Sequence, residues 1–278
     1  LYQDLWTENG SPLKYYGYQL RELVQAEMGE VYQVELAMRY QDPSVESAIN
    51  KLLDAAVSEM IIVPLFPQYS SACTGSVYEE VMRILSKEQA IPALRFVNSY
   101  YDHPDFIGAI LERAKEHNLD EYDHVLFSYH GLPVRQLVKG DRSKQHCQKQ
   151  ENCCQTLTDA NQYCYSAQCY ATTKAVATAL GLAEEQYTTC FQSRLGRDPW
   201  VQPYTSDILE DRAKVGDKKL QVFCPAFVED CLENTIEISE EYQEEFEELG
   251  GEKVQLVESL NDHPKWVTGL KNIILEAS

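Results

Sequence analysis

The chain has 278 residues, with 24 Lys and Arg against 44 Asp and Glu, a formal net charge of −20. Nucleic-acid affinity comes from cationic side chains that neutralise phosphates, so this balance argues against that class of partner. The length accommodates two domains with separate cores, and no apolar run approaches the roughly 20 residues that span a bilayer.

The chain opens with Leu1-Tyr-Gln-Asp-Leu-Trp6, which reads as the middle of a helix, so further elements are expected upstream. From there helical patterns alternate with apolar, β-rich runs. A helix over Leu13–Met28 precedes a strand over Val31–Ala37, and a helix over Ser44–Ser58 precedes a strand over Met60–Phe66. Helix Gly75–Ser86, strand Leu94–Val97, helix Pro104–Asn118 and strand Asp123–Tyr129 follow. A polar, cysteine-rich insertion from Lys139 to Tyr163 interrupts the alternation. It resumes with helix Cys169–Leu180, strand Gln186–Phe191, helix Asp207–Ala213 and strand Leu220–Phe223. A long helix over Val228–Leu249, strand Val254–Val257 and helix Pro264–Glu276 close the chain. Strands separated by helices of this length predict βαβ units and parallel sheets. The fold class is therefore α/β, with two doubly wound, Rossmann-like domains facing each other across a cleft. The first takes residues 1–98 with 258–278; the second takes 99–257 and contains the insertion at about 139–169. Neither a Gly-rich dinucleotide fingerprint nor a phosphate-cradling loop is present, so nucleotide binding has no support.

In His124-Val-Leu-Phe-Ser-Tyr-His130-Gly-Leu-Pro133, a buried strand is stopped by Gly131 and Pro133. His130 thus lies just past the carboxyl end of a strand, where open α/β sheets place their ligand crevices. A second constellation follows strand Leu220–Phe223: Cys224-Pro225-Ala-Phe-Val-Glu229-Asp230-Cys231-Leu-Glu233. Glu229 and Asp230 are expected in a first helical turn, whose dipole favours anions. Asp230, Glu233, Glu237, Glu240 or Glu241, and Glu244 then share one helical stripe. Taken alone the stripe reads as a solvated face. Together with His130, emerging at the same sheet edge, it offers an imidazole and carboxylates for a divalent metal or for proton transfer.

Five of the nine cysteines, Cys147, Cys153, Cys154, Cys164 and Cys169, fall in or beside the insertion. Without a secretory signal a disulfide framework is not expected, and a cytoplasmic location is. Dense thiolates suit zinc or an iron–sulfur cluster, or they stay uncommitted.

Six segments now carry a resemblance: Gly10–Leu13, Pro64-Leu-Phe-Pro-Gln-Tyr69, Ser128-Tyr-His-Gly-Leu-Pro133, Gln168-Cys-Tyr-Ala-Thr-Thr173, Phe191–Trp200 and Cys224–Glu233. Together, in this order, they resemble the ferrochelatases, above all the proteobacterial branch, which insert ferrous iron into protoporphyrin IX at the end of haem synthesis. The resemblance implies that His130 is the metal-site histidine and proton acceptor, with Glu233 opposite. It puts Asp230, Glu237 and Glu241 in an acidic path, and Phe66, Tyr69 and Trp200 around the porphyrin. Cys231 stands where some members have His. Arg194 and Arg197 are available to propionates or to nearby acids.

The family's opening strand and loop are not in the chain, which is expected to be truncated there. Some ferrochelatases carry a 2Fe–2S cluster, so the resemblance implies one here on four of the five cysteines, with one of Cys153 and Cys154 spare and Cys169 in doubt. The expected partners are protoporphyrin IX and ferrous iron, with peripheral membrane contact left open. Alternatives are a chelatase for coproporphyrin III or sirohydrochlorin, and a non-catalytic iron or cluster sensor on the same scaffold.

Overall fold

A computed structural model of the chain describes residues 6–8, 10–150 and 152–278. Strand β3 (His124–His130) organises the larger of two sheets, because apolar side chains leave it in both directions. Val125, Phe127 and Tyr129 enter one core, while Leu126 enters another with Cys190, Leu220, Val222, Ile238 and Phe246. A strand buried on both faces is what a parallel sheet covered by helices requires.

β3 lies between β4 (Tyr187–Gln192) and β5 (Lys219–Phe223), and β6 (Lys253–Leu256) pairs with β5; all three pairings are parallel. A second sheet pairs β1 (Glu59–Ile62) with β2 (Ala93–Phe96), also in parallel. Val45, Ile49, Met60, Val81, Ile84 and Leu85 form its core. The helices are α1 (Pro12–Met28), α2 (Val45–Asp54), α3 (Ser76–Leu85), α4 (Pro104–Ala114), α5 (Val134–Gly140), α6 (Tyr165–Leu180), α7 (Thr205–Val215), α8 (Leu232–Thr235), α9 (Tyr242–Glu248) and α10 (Pro264–Ala277). α10 packs on α1 and α4, and Trp266 joins Tyr100 and Phe106 in an aromatic cluster with centroids 5.5–6.0 Å apart.

Three expectations are corrected. Val31–Ala37 is no strand. Its backbone is taken by α1 side chains: Gln25 accepts from the Val34 N–H at 2.8 Å and donates to the Tyr32 carbonyl at 2.9 Å, and Arg21 donates to the Val34 carbonyl at 3.0 Å. Val228–Leu249 is not one helix. α8 spans only Leu232–Thr235, a π-turn covers Glu237–Glu241, and α9 follows. The first two residues of the polar insertion, Lys139 and Gly140, instead end helix α5. The helical reading of residues 1–6 falls outside the described residues except at Trp6, which is not helical.

Candidate active site

The His130–Gly131 peptide is held on both sides. Buried Tyr165 donates its hydroxyl to the His130 carbonyl at 2.9 Å, and the Gly131 N–H donates to the Gln192 carbonyl at 2.8 Å. His130 Nδ1 lies 2.6 Å from the Gly131 carbonyl. A carbonyl only accepts, so Nδ1 carries the proton and Nε2 of the neutral ring keeps its lone pair. The half-buried ring sits 6.2 Å from Trp200 and 6.3 Å from Phe227, centroid to centroid. Gly131 is needed for this approach: a Cβ there would lie 3.0 Å from the Gln192 carbonyl oxygen and 3.1 Å from the Trp200 ring.

Because β5 runs parallel to β3, the Cys224–Glu233 segment leaves the sheet at the edge where His130 stands, as the strand alternation predicts. Gln192, the register partner of His130 on β4, joins the two. Its buried amide accepts from the Ser128 hydroxyl at 2.7 Å and donates to the Glu233 carbonyl and, at 3.0 Å, to the Glu237 carboxylate. Glu237 accepts further bonds from the Ser193 N–H at 2.7 Å, from the Ser193 hydroxyl, and from the Tyr242 hydroxyl at 3.1 Å. It is a structural acceptor and no part of a solvated stripe.

Asp230 is committed as well. Its carboxylate takes the Ser259 N–H at 3.2 Å and the Asn261 side-chain amide at 2.8 Å. Both Glu229 and Asp230 precede α8, so Glu233, half-buried, is the acid in its first turn. Burial and then the Glu233 charge push the Cys231 thiol well above its ordinary range, so it stays neutral beside that carboxylate. Glu240, Glu241 and Glu244 are exposed.

The expected aromatic residues Phe66 and Tyr69 lie in the loop after β1. Tyr69 donates its backbone N–H to the side-chain oxygen of Gln168 on α6 at 2.6 Å and packs edge-on against Tyr163, centroids 6.1 Å apart. Gln68, next to it, donates to Thr172 at 3.1 Å. Phe66 is exposed. Trp200 is buried beside His130, with its indole N–H unpartnered among the described residues. Arg194 lies 4.8 Å over the Tyr204 ring.

Within the insertion, the Asp141 carboxylate collects the N–H groups of Ser143, His146 and Cys147 at 2.9–3.0 Å. The Ser143 hydroxyl and those amides hold its acid well below the usual carboxylate range. Cys153 and Cys154 sulfurs are 3.6 Å apart, and Cys154 and Cys164 sulfurs 3.9 Å. Cys154 holds its proton towards Cys164, whose own acidity is raised by that hydrogen bond. Cys169 is instead enclosed in the core, and burial keeps it a neutral thiol. Among the described residues no three His, Cys, Asp or Glu side chains form a ready metal site.

Gln192, Gln168, Tyr165 and Glu229 were not singled out by the sequence as functional, although three of them lie inside the matching segments and Tyr165 precedes one. Glu229 is 5% exposed, and its Oε1 has no hydrogen-bond partner among the described residues. Burial, and then the Asp230 charge, push its carboxyl up to about 8. The unfolded chain releases this proton near 4.5. Between those values the folded state therefore binds more protons, and stability falls as pH rises, by at most about 1.4 kcal/mol per pH unit. Glu229→Gln is expected to match the wild type in thermal stability near the bottom of that window and to exceed it near the top. A Tm difference that stays constant across the window would show that the carboxyl titrates alike in both states.

Parallel sheets flanked by helices are shared with solved chelatases. The structure of SirB from Bacillus subtilis with Fe3+ matches at a TM-score of 0.61 and 14% identity, over 97% of this chain and 92% of that one. The sirohydrochlorin chelatase SirB from Bacillus subtilis subspecies spizizenii in complex with cobalt matches at 0.60 and 13%, over the same shares. The fold is that of a chelatase.

The ferrochelatase family model matches residues 1–278. Ferrochelatase of Legionella pneumophila strain Lens is 42% identical over 275 residues, covering 99% of this chain and 81% of that protein. Ferrochelatase of Coxiella burnetii strain Dugway 5J108-111 is 42% identical over 272 residues, covering 97% and 75%. The chain belongs to the ferrochelatase family, and it is a metal-chelatase enzyme. No helix among the described residues is long and apolar enough to cross a membrane.

Proposed function

We propose that this enzyme inserts Fe2+ into protoporphyrin IX, giving haem and two protons, with His130 and Glu233 at the reacting centre. One observation carries the assignment: an imidazole whose Nε2 has no partner among the described residues and a carboxylate segment leave one sheet edge, and Gln192 spans them, its backbone carbonyl on the Gly131 N–H and its side-chain amide on the Glu233 carbonyl. Nε2 accepts a pyrrole proton, and Glu233 balances the charge of the incoming cation. Trp200 beside His130, with Tyr69 and Phe66 across from it, supplies flat apolar surface for a macrocycle. Glu241, exposed, opens an acidic path to a hydrated ion. Asp230 and Glu237 add charge to its walls while their oxygens brace the fold. Residues 1–98 with 258–278, and 99–257, are the two halves that we assign to the cleft.

Two sulfur separations in the insertion support a metal centre there, although among the described residues no three ligands are already gathered. Two thiolates on one tetrahedral centre with metal–sulfur bonds of about 2.3 Å lie roughly 3.8 Å apart, close to the 3.6 and 3.9 Å found here. Cys147 is buried in the same insertion, and burial, followed by Cys153 and Cys154, pushes its thiol up to about 11. We assign Cys147, Cys153, Cys154 and Cys164 to a 2Fe–2S cluster, with both adjacent cysteines included and Cys169 left to the core. Bound there, a cluster supplies a one-electron redox centre and free energy that orders a segment poor in apolar residues. The many free thiols suit a reducing compartment such as the cytoplasm.

The test is an anaerobic preparation assayed with Fe2+ and protoporphyrin IX, coproporphyrin III or sirohydrochlorin in parallel, after its visible spectrum is recorded. Fastest haem formation from protoporphyrin and a brown protein with thiolate-to-iron bands are expected. Preference for another tetrapyrrole overturns the substrate assignment. A colourless, zinc-containing and active protein overturns the cluster alone.

A further inference from the structure

The first turn of α6 links the thiol segment, the His130 backbone and the Tyr69 backbone. Cys164 is its N-cap and part of the thiol group; Tyr165, the next residue, donates to the His130 carbonyl at 2.9 Å. One turn on, Gln168 accepts from the Tyr69 N–H at 2.6 Å and donates to the Gln162 carbonyl, at the end of the insertion, at 2.7 Å. Tyr165 and Gln168 are both buried, so neither bond is shared with bulk water, and an unmet buried carbonyl or amide is costly. A displacement of Cys164 is thus carried by a neighbouring covalent bond to the group that fixes the His130–Gly131 peptide. His130 Nδ1 is bound to the Gly131 carbonyl, on the next peptide along, so the orientation of the ring follows the backbone that the Tyr165 bond holds one peptide earlier.

We propose that Tyr165 is a positioning residue for metallation: its hydroxyl fixes the His130 peptide, and through it the state of the thiol segment reaches the proton acceptor. This rests on the assignments of His130 and of the thiol segment made above. It makes a metal centre outside the cleft a regulator of the reaction, with no need for it to touch the porphyrin.

Tyr165→Phe keeps the buried ring and removes only the hydroxyl. Steady-state metallation is compared in wild type, Tyr165→Phe, Cys164→Ser and the double variant, all prepared anaerobically. Tyr165→Phe is expected to lower kcat about tenfold with porphyrin KM within twofold, the split of a misplaced acceptor and not of a damaged pocket. Cys164→Ser is expected to lower kcat several-fold alone and by less than twofold when added to Tyr165→Phe. Unchanged kcat in Tyr165→Phe, an inert Cys164→Ser, or independent effects that multiply would each overturn the proposal. The visible bands are read separately. Their retention in Tyr165→Phe shows the thiol segment intact. Their absence from the wild type defeats the cluster assignment, while the kcat comparison still decides the role of Tyr165.

Discussion

His130→Ala is expected to lower kcat for metallation by roughly 10²–10⁴, the usual worth of a positioned general base. Its Tm should move by no more than a few degrees. Among the described residues Nε2 makes no hydrogen bond, and the His130–Gly131 peptide beside the ring is held by Tyr165 and Gln192 through backbone atoms that alanine retains. Glu233→Gln should have a comparable effect on kcat for a different reason. The Gln192 bond goes to the Glu233 backbone carbonyl, so the fold survives and only the carboxylate charge is lost. Stopped-assay haem formation with parallel thermal melts measures both. Near-normal turnover in either variant would remove that residue from the reacting centre.

Glu237→Gln should behave in the opposite way, losing more stability than chemistry. Glu237 receives four hydrogen bonds, two of them from Ser193. Ser193 has a φ of 62°, a left-handed conformation that costs a non-glycine residue about 1–3 kcal/mol. An amide replaces one acceptor oxygen with a donor, so at least one of those donors is left facing N–H. A hydrogen bond to a charged group contributes about 1.5–3 kcal/mol, and for a chain of this size such a loss lowers Tm by roughly 3–6 °C. Calorimetry on the purified variant checks this. A Tm equal to or above that of the wild type would return Glu237 to the status of a solvated acid, and the hydrogen bonds described here would count for nothing.

The strands of the larger sheet were legible in the sequence because burial on both faces leaves an unbroken apolar signature, as in Val125-Leu-Phe127. The placement of His130 and the Cys224–Glu233 segment on one edge followed from parallel pairing alone. Val31–Ala37 misled for a physical reason: it has the composition of a strand, but Arg21 and Gln25 occupy the backbone groups that a neighbouring strand would use. The acidic stretch misled similarly. Its helical period is real locally, yet Asp230 is drawn to Ser259 and Asn261 and Glu237 to Ser193, partners that only the tertiary fold supplies. Gln192 was invisible for the same reason, since nothing in its neighbours announces that one amide serves three segments. Glu229 was visible as a residue but not as a buried, unpaired acid. Among the cysteines, the sequence separated the crowded group from the rest, and the fold separated Cys169 from that group.

The saturation of Gln192 has a mechanical consequence. With its oxygen on Ser128 and its amide hydrogens on Glu233 and Glu237, it locks the end of the sheet to the acid segment like a rivet through two plates. The residues proposed to handle the proton and the metal then move as one piece with the sheet, and adjustment to a bound porphyrin is left to Phe66, which projects into solvent, and to Tyr69, whose backbone is tethered to α6 by the Gln168 side chain.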